Sequence, residues 1–93
     1  MTTDARAELM ELLRQVRARL TRGTLDGSPE EVAECDALLR DLESGEDRRL
    51  REVASLFLPT GCLQDLAIGS GWGDEFCAIA DRVDRLLPLV RRA

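Results

Sequence analysis

The sequence predicts an all-α fold, a small bundle of four to five helices. An N-terminal helical hairpin is followed by C-terminal helices that are joined by a Gly/Trp turn. Three observations lead to this prediction. Apolar residues recur at spacings of three and four, which is the period of a helix face. No segment alternates apolar and polar residues as a half-buried strand does. Glycine and proline residues divide the chain into segments of helix length.

The length of 93 residues indicates a single domain. A chain of this size buries only about 60–65% of its extended surface, so a monomer gains limited stability from its core. We therefore expect self-association, in the simplest case as a homodimer. The predicted helices cover about residues 4–22, 29–43, 47–58, 62–68 and 74–90.

The first two helices have the clearest boundaries. Thr3 or Asp4 can cap the first helix. Ser28 can cap the second, with Pro29 in the first helical position and Glu31 completing a capping box. Their apolar faces suit an antiparallel hairpin. These faces comprise Ala5, Leu9, Leu12, Leu13, Val16 and Leu20 in the first helix, and Val32, Cys35, Leu38, Leu39 and Leu42 in the second.

The remaining helices are separated by proline and glycine. Pro59 ends the third helix, and the glycine-rich residues 69–73 end the fourth, where at least one glycine is expected to have positive φ. Pro88 predicts a kink or an end of the last helix near Leu87. The expected apolar faces are Leu50, Val53, Ala54 and Phe57, then Leu63, Leu66 and Ala67, then Phe76, Ile79, Ala80, Val83, Leu86, Leu87 and Val90.

The composition argues against most catalytic chemistry. The chain has no His, Lys, Tyr or Asn, and all 13 of its cationic side chains are Arg. General acid–base catalysis therefore has only carboxylates and thiols available, and the commonest transition-metal ligand is missing. We expect no cofactor, no bound metal and no catalytic residue. The exclusive use of Arg is typical of a GC-rich bacterial genome.

The three cysteines indicate neither a zinc site nor a disulfide framework, because their number is odd and no C-x-x-C motif occurs. Cys35 and Cys77 lie on or beside apolar stripes and are expected to be small buried hydrophobic residues. Reduced thiols, an N-terminus without the apolar segment of a signal peptide, and the lack of a long apolar run predict a cytoplasmic protein without a membrane span.

The charge distribution leads to the main functional hypothesis. Residues 23–47 carry nine acidic side chains against Arg40, whereas the flanking segments are basic. We expect a non-catalytic, acidic protein–protein interaction module: an inhibitor or immunity protein, an antitoxin-like protein or an accessory subunit. A basic protein is one candidate for its partner. The predicted contact residues are Trp72, Asp74, Glu75, Phe76, Glu30, Glu31, Glu34 and Asp41. Trp72 has the alternative of filling the gap between two helices.

Two other functions stay open. Residues 62–87 have the outline of a helix-turn-helix, in which Arg82, Arg85, Arg91 and Arg92 would contact DNA phosphates. The acidic start of the second helix argues against this alternative. The other alternative is an enzyme that relies on carboxylates or on Cys62, whose thiol pKa a helix N-terminus can lower, although no His is present as its base.

Overall fold

The computed structural model describes residues 4–22, 29–45, 48–57 and 62–92, and for residues 62 and 92 the backbone alone. The described residues form five helices and no strand: α1 (Ala5–Arg22), α2 (Pro29–Glu43), α3 (Leu50–Leu56), α4 (Cys62–Gly69) and α5 (Gly73–Arg92). The predicted all-α bundle is confirmed. No helix in this part of the chain is both long enough and apolar enough to cross a membrane.

α1 packs against both α2 and α5. Arg17 bonds to Asp36 of α2, while Arg6 donates to the Leu42 carbonyl 3.3 Å away. As the residue number increases along α1, the number of its partner in α2 decreases, so the two helices are antiparallel. The same reasoning applies to α5, since Glu8 pairs with Arg82 and Arg19 with Glu75.

The helix ends follow local chemistry. Asp4 caps α1, because its Oδ1 accepts the Arg6 N–H at 3.0 Å, as one of the two predicted caps requires. α2 ends at Glu43, and the turn that follows it contains Gly45, where φ is +82°. The predicted capping role of Ser28 lies outside the described residues.

Two helix boundaries differ from prediction. α3 begins at Leu50 rather than near residue 47, because Arg48 and Arg49 form a turn ahead of it. α5 does not end near Leu87 but continues through Pro88 to Arg92. Pro88 and Asp84 are exposed. The carbonyl of Asp84, which loses its helical donor to the proline ring, can therefore bond to water instead.

The core draws on all five helices and on the turn between α4 and α5. Of the predicted stripe residues, Ala5, Leu12, Val32, Leu39, Ala54 and Ala80 are only partly buried and pack at its edge. The buried set is Leu9, Leu13, Val16, Leu20, Cys35, Leu38, Leu42, Leu50, Val53, Phe57, Leu63, Ala67, Trp72, Phe76, Ile79, Val83, Leu86, Leu87 and Val90.

The turn between α4 and α5 is a Schellman motif. The Trp72 N–H donates to the Ala67 carbonyl at 2.9 Å, and the Gly71 N–H donates to the Ile68 carbonyl at 3.2 Å. Gly71 supplies the left-handed residue that this motif needs, with φ of +88°, so the predicted positive φ among these glycines is confirmed. Only three residues therefore separate the two helices.

Gly71→Ala should destabilise the protein by about 1–2 kcal/mol, because an L-residue in the left-handed region pays roughly that cost. A Cβ at Gly71 would meet nothing within 4 Å, so the loss would be conformational rather than steric. Gly69→Ala is the matched control, since Gly69 also has open space but an ordinary φ. Urea unfolding monitored by Trp72 fluorescence measures both, and equal losses would contradict this account of the turn.

Candidate functional site

The candidate site follows from how the acidic side chains are distributed between internal ion pairs and open surface. Seven carboxylates in the described chain bond to arginines of the same molecule. A carboxylate that already has an internal arginine is a poorer contact for a partner, because that bond must be broken or shared. The paired acids are Glu8, Glu11, Glu34, Asp36, Asp41, Glu52 and Glu75.

Arg49 holds three of these carboxylates. Its guanidinium lies 3.5 Å from Glu34, 3.3 Å from Asp41 and 2.6 Å from Glu52. The pKa of Arg49 is raised, first by the hydrogen bond to Glu52. Glu34 and Asp41, both predicted contact residues, are thus brought together by an arginine of their own chain.

The other acidic residues predicted to contact a partner have different surroundings. Glu30 is exposed and Glu31 is half-buried in the first turn of α2, and neither has an ion pair within the described residues. Glu75 is exposed but bonded to Arg19 through two oxygens. Asp74 is exposed and has no ion pair among the residues that the structure describes.

The two predicted aromatic contact residues lie in the core. Trp72 is 4% exposed and Phe76 is 1% exposed. Their rings meet edge to face with centroids 6.1 Å apart, and Phe76 also stacks on Phe57 at 5.5 Å. Trp72 thus fills the gap between helices, as its alternative interpretation predicts. Its indole N–H is buried and has no hydrogen-bond partner in the structure.

A shallow surface beside the turn between α4 and α5 includes two residues whose exposure was not predicted from the sequence. Ile68 is 57% exposed, and Cys77 is exposed rather than buried as predicted. With Gly71, Gly73 and Asp74 they line a shallow depression of about 340 Å³. The sequence carried a signal for the exposure of Ile68 and Cys77. Ile68 directly follows Ala67, and Cys77 directly follows Phe76, both of which belong to predicted apolar stripes. Adjacent residues in a helix point about 100° apart, so a residue next to a buried one turns away from the core.

Asp74, Cys77, Asp81 and Asp84 continue this surface along α5. Spacings of three and four place them on one side of the helix, and all four are exposed. None of the three aspartates has an ion pair in the part of the chain that the structure describes. We call the surface formed by Ile68, Asp74, Cys77, Asp81 and Asp84 the turn face. It combines an exposed apolar centre with unpaired negative charge.

Close packing of α4 against α5 sets the position of Ile68. A Cβ at Gly73 would lie 2.9 Å from Cγ1 and 3.3 Å from Cα of Ile68. Only glycine at this first position of α5 allows Ile68 to sit where it does.

The two described thiols differ in their surroundings, because Cys35 is buried and Cys77 is exposed. Burial, and then the charges of Asp36 and Glu34, raise the pKa of Cys35 to about 12, so its nucleophilic thiolate is scarce at neutral pH. The Cys62 side chain lies outside the described residues. Among the residues that are described, no three His, Cys, Asp or Glu side chains come together as a metal site.

Comparison with known proteins gives no further guide, because no protein family, no curated protein and no solved structure matches this chain.

Cysteine labelling should separate the two described thiols. Iodoacetamide at about pH 8 should modify Cys77 at least ~100-fold faster than Cys35, because Cys35 is buried and almost entirely protonated. Peptide mass spectrometry after timed quenching gives each rate. Both residues should react at similar rates in concentrated urea. Rapid labelling of Cys35 in the native protein would contradict its place in the core.

The Glu8–Arg82 pair should give stability that depends on pH. The hydrogen bond to Arg82 lowers the pKa of Glu8. Its contribution is therefore present above the unfolded pKa of a glutamate, about 4.3, and is lost as pH falls through the lower folded value. Thermal unfolding of wild type and Glu8→Gln should differ at about pH 7 and converge near pH 3.

Glu11→Gln is the control for that series, because the bond of Glu11 to Arg14 stays within α1. It should change the melting temperature less than Glu8→Gln does at neutral pH. A difference between wild type and Glu8→Gln that persists unchanged in acid would contradict the assignment to this ion pair.

Proposed function

We propose that this chain is a non-catalytic protein–protein interaction module that binds a basic partner through the turn face. The observation that carries the proposal is the combination of unpaired acids with an exposed apolar side chain. Glu30, Glu31 and Glu43 of α2 are also unpaired in the described chain, but their helix has no exposed large apolar residue. Asp74, Asp81 and Asp84 are exposed without internal arginines, whereas seven other carboxylates are paired within the chain. Asp74 lines the same depression as Ile68, one of two large apolar side chains that are exposed in the described chain, and Asp81 and Asp84 follow it along the same side of α5.

The chemistry of this surface suits a cationic partner. An apolar centre gains free energy when a partner covers it, and surrounding charge selects the partner and speeds its approach. Ile68 supplies the apolar centre, and the three aspartates supply the charge. The net charge of −5 has the sign that attracts a basic partner, and this attraction is strongest at low ionic strength. An inhibitor or immunity protein, an antitoxin-like protein and an accessory subunit all remain compatible with this proposal, as does a cytoplasmic location.

The helix-turn-helix alternative has the right outline but unsuitable side chains. α4, the three-residue turn and α5 follow the order of that motif. Asp74 and Glu75 open α5, however, and the first cation along that helix is Arg82, which Glu8 already binds. Reading a DNA duplex requires donors toward the bases and free cations toward phosphate, so we favour the protein partner.

A matched pair of charge reversals tests the proposal. Asp74→Lys/Asp81→Lys/Asp84→Lys inverts the turn face, and Glu30→Lys/Glu31→Lys/Glu43→Lys inverts the same number of unpaired acids on α2. Each set includes acids from the first turn of a helix, so the expected costs to stability are similar. Affinity capture from the source cells, quantified by mass spectrometry, should recover a partner with wild type and the α2 variant but not with the α5 variant.

Single apolar substitutions test the centre of the same surface without changing its charge. Ile68→Ser should weaken capture of that partner about tenfold or more, as expected for loss of a central apolar contact. Leu89→Ser is the control, because Leu89 is similarly exposed at 51% but lies elsewhere on α5. A partner that is lost with the α2 variant or with Leu89→Ser, and retained by the turn-face variants, would contradict the proposed surface. The proposal would also be contradicted if no captured protein bound these variants to different extents.

A further inference from the structure

A second surface of opposite charge lies where α3 meets the end of α5. Arg48, Leu50, Arg51, Glu52 and Arg91 line a groove of about 510 Å³. Arg48 lies in the turn before α3, Arg51 on α3 and Arg91 near the end of α5. The fold thus brings together guanidinium groups from positions some forty residues apart in the sequence.

Among its described lining residues the groove carries more positive than negative charge. Glu52 is the one carboxylate of that described lining, and Arg49 binds its Oε2 with Nε at 2.8 Å and Nη2 at 2.6 Å. Arg49 belongs to the neighbouring ion-pair cluster rather than to the groove lining. Because Arg49 also pairs with Glu34 and Asp41, it offsets the charge of Glu52 only in part.

Two guanidinium groups of the groove, those of Arg51 and Arg91, belong to exposed side chains. Arg51 and Arg91 make no ion pair within the described part of the chain. Arg48 has an interaction of its own in the protein, and its positive charge adds to the same surface. An arginine presents several N–H donors in one plane, a geometry that matches the oxygens of phosphate and carboxylate groups.

We propose that this groove binds a small multivalent oxyanion of the phosphate class, such as a diphosphate or a phosphorylated small molecule. Its volume falls in the range of small-ligand sites. A small anion fits better than a nucleic acid, because the protein's net charge of −5 repels an extended polyanion outside the groove. The site is separate from the turn face, so either proposal can fail without the other.

Isothermal titration calorimetry with inorganic pyrophosphate, at constant ionic strength, tests this site. Wild type should bind one pyrophosphate per chain with saturable heat. Arg51→Gln/Arg91→Gln should weaken binding about tenfold or more, which is the loss expected for charge-assisted hydrogen bonds. Arg40→Gln/Arg85→Gln removes two exposed arginines outside the groove and should leave the affinity unchanged. Circular dichroism of each variant checks that the helices are intact.

Three results would overturn the proposal. The first is absence of saturable pyrophosphate binding by wild type. The second is an equal loss in both double variants, which would indicate unspecific attraction to arginine. The third is binding of a short DNA duplex in the same buffer that depends on Arg51 and Arg91 and exceeds the affinity for pyrophosphate, since the ligand would then be a nucleic acid.

Discussion

The aromatic contact among Phe57, Trp72 and Phe76 is the constraint on which the C-terminal half depends. Phe76 stacks on Phe57 at 5.5 Å and meets Trp72 at 6.1 Å, so one ring joins the end of α3, the turn and the start of α5. Aromatic side chains bury large areas, and their pairs add specific geometry to that burial. A chain of 93 residues has little other core to substitute for them. Both candidate surfaces, the turn face and the arginine groove, border elements that this cluster holds together.

Internal ion pairs decide which charges of this protein face outward unopposed. An exposed ion pair contributes little to stability on its own. The main consequence of these pairs is that they determine which charged side chains remain open to a partner. Arg49 pairs with Glu34, Asp41 and Glu52. These ion pairs reduce the negative charge around α2 and partly offset the charge of Glu52 in the nearby groove. Part of the acidic segment is therefore engaged in internal ion pairs, whereas Glu30, Glu31 and Glu43 stay unpaired among the described residues. The unpaired aspartates of α5 differ from these in beginning beside the exposed Ile68.

Helix spacing was enough to predict the fold, because each helix has one apolar stripe and clear terminal signals. It predicted the buried faces of α1 and α5 almost residue by residue. It failed at α3, since the turn at Arg49 is held by side chains of α2, which no local pattern records. It also failed at Pro88, because whether a proline ends a helix depends on whether water can reach the carbonyl that it leaves unpaired.

The candidate site was less predictable than the fold for the same physical reason. Local rules indicate which residues are buried, but ion pairs between helices depend on how those helices are arranged. Asp74 was predicted as a contact residue because it lies beside Trp72 in the sequence. Its distinction from Glu75, one position later, required knowing that Arg19 of α1 reaches Glu75. Ile68 was recognisable as a residue beside its stripe, but its place against Gly73 required the close approach of α4 to α5.

The two candidate surfaces lie toward opposite ends of α5 and carry opposite charge. The start of α5 carries unpaired aspartates beside an apolar centre, and its end brings Arg91 into a cationic groove. Over distances beyond about 10 Å in physiological salt these opposed charges are screened. A ligand near the groove therefore experiences local arginines rather than the net charge of −5. Because the molecule is 37 Å along its longest axis, an acidic protein can present separate sites for a cation and for an anion. Their separation along α5 leaves room for both to be occupied in the same molecule.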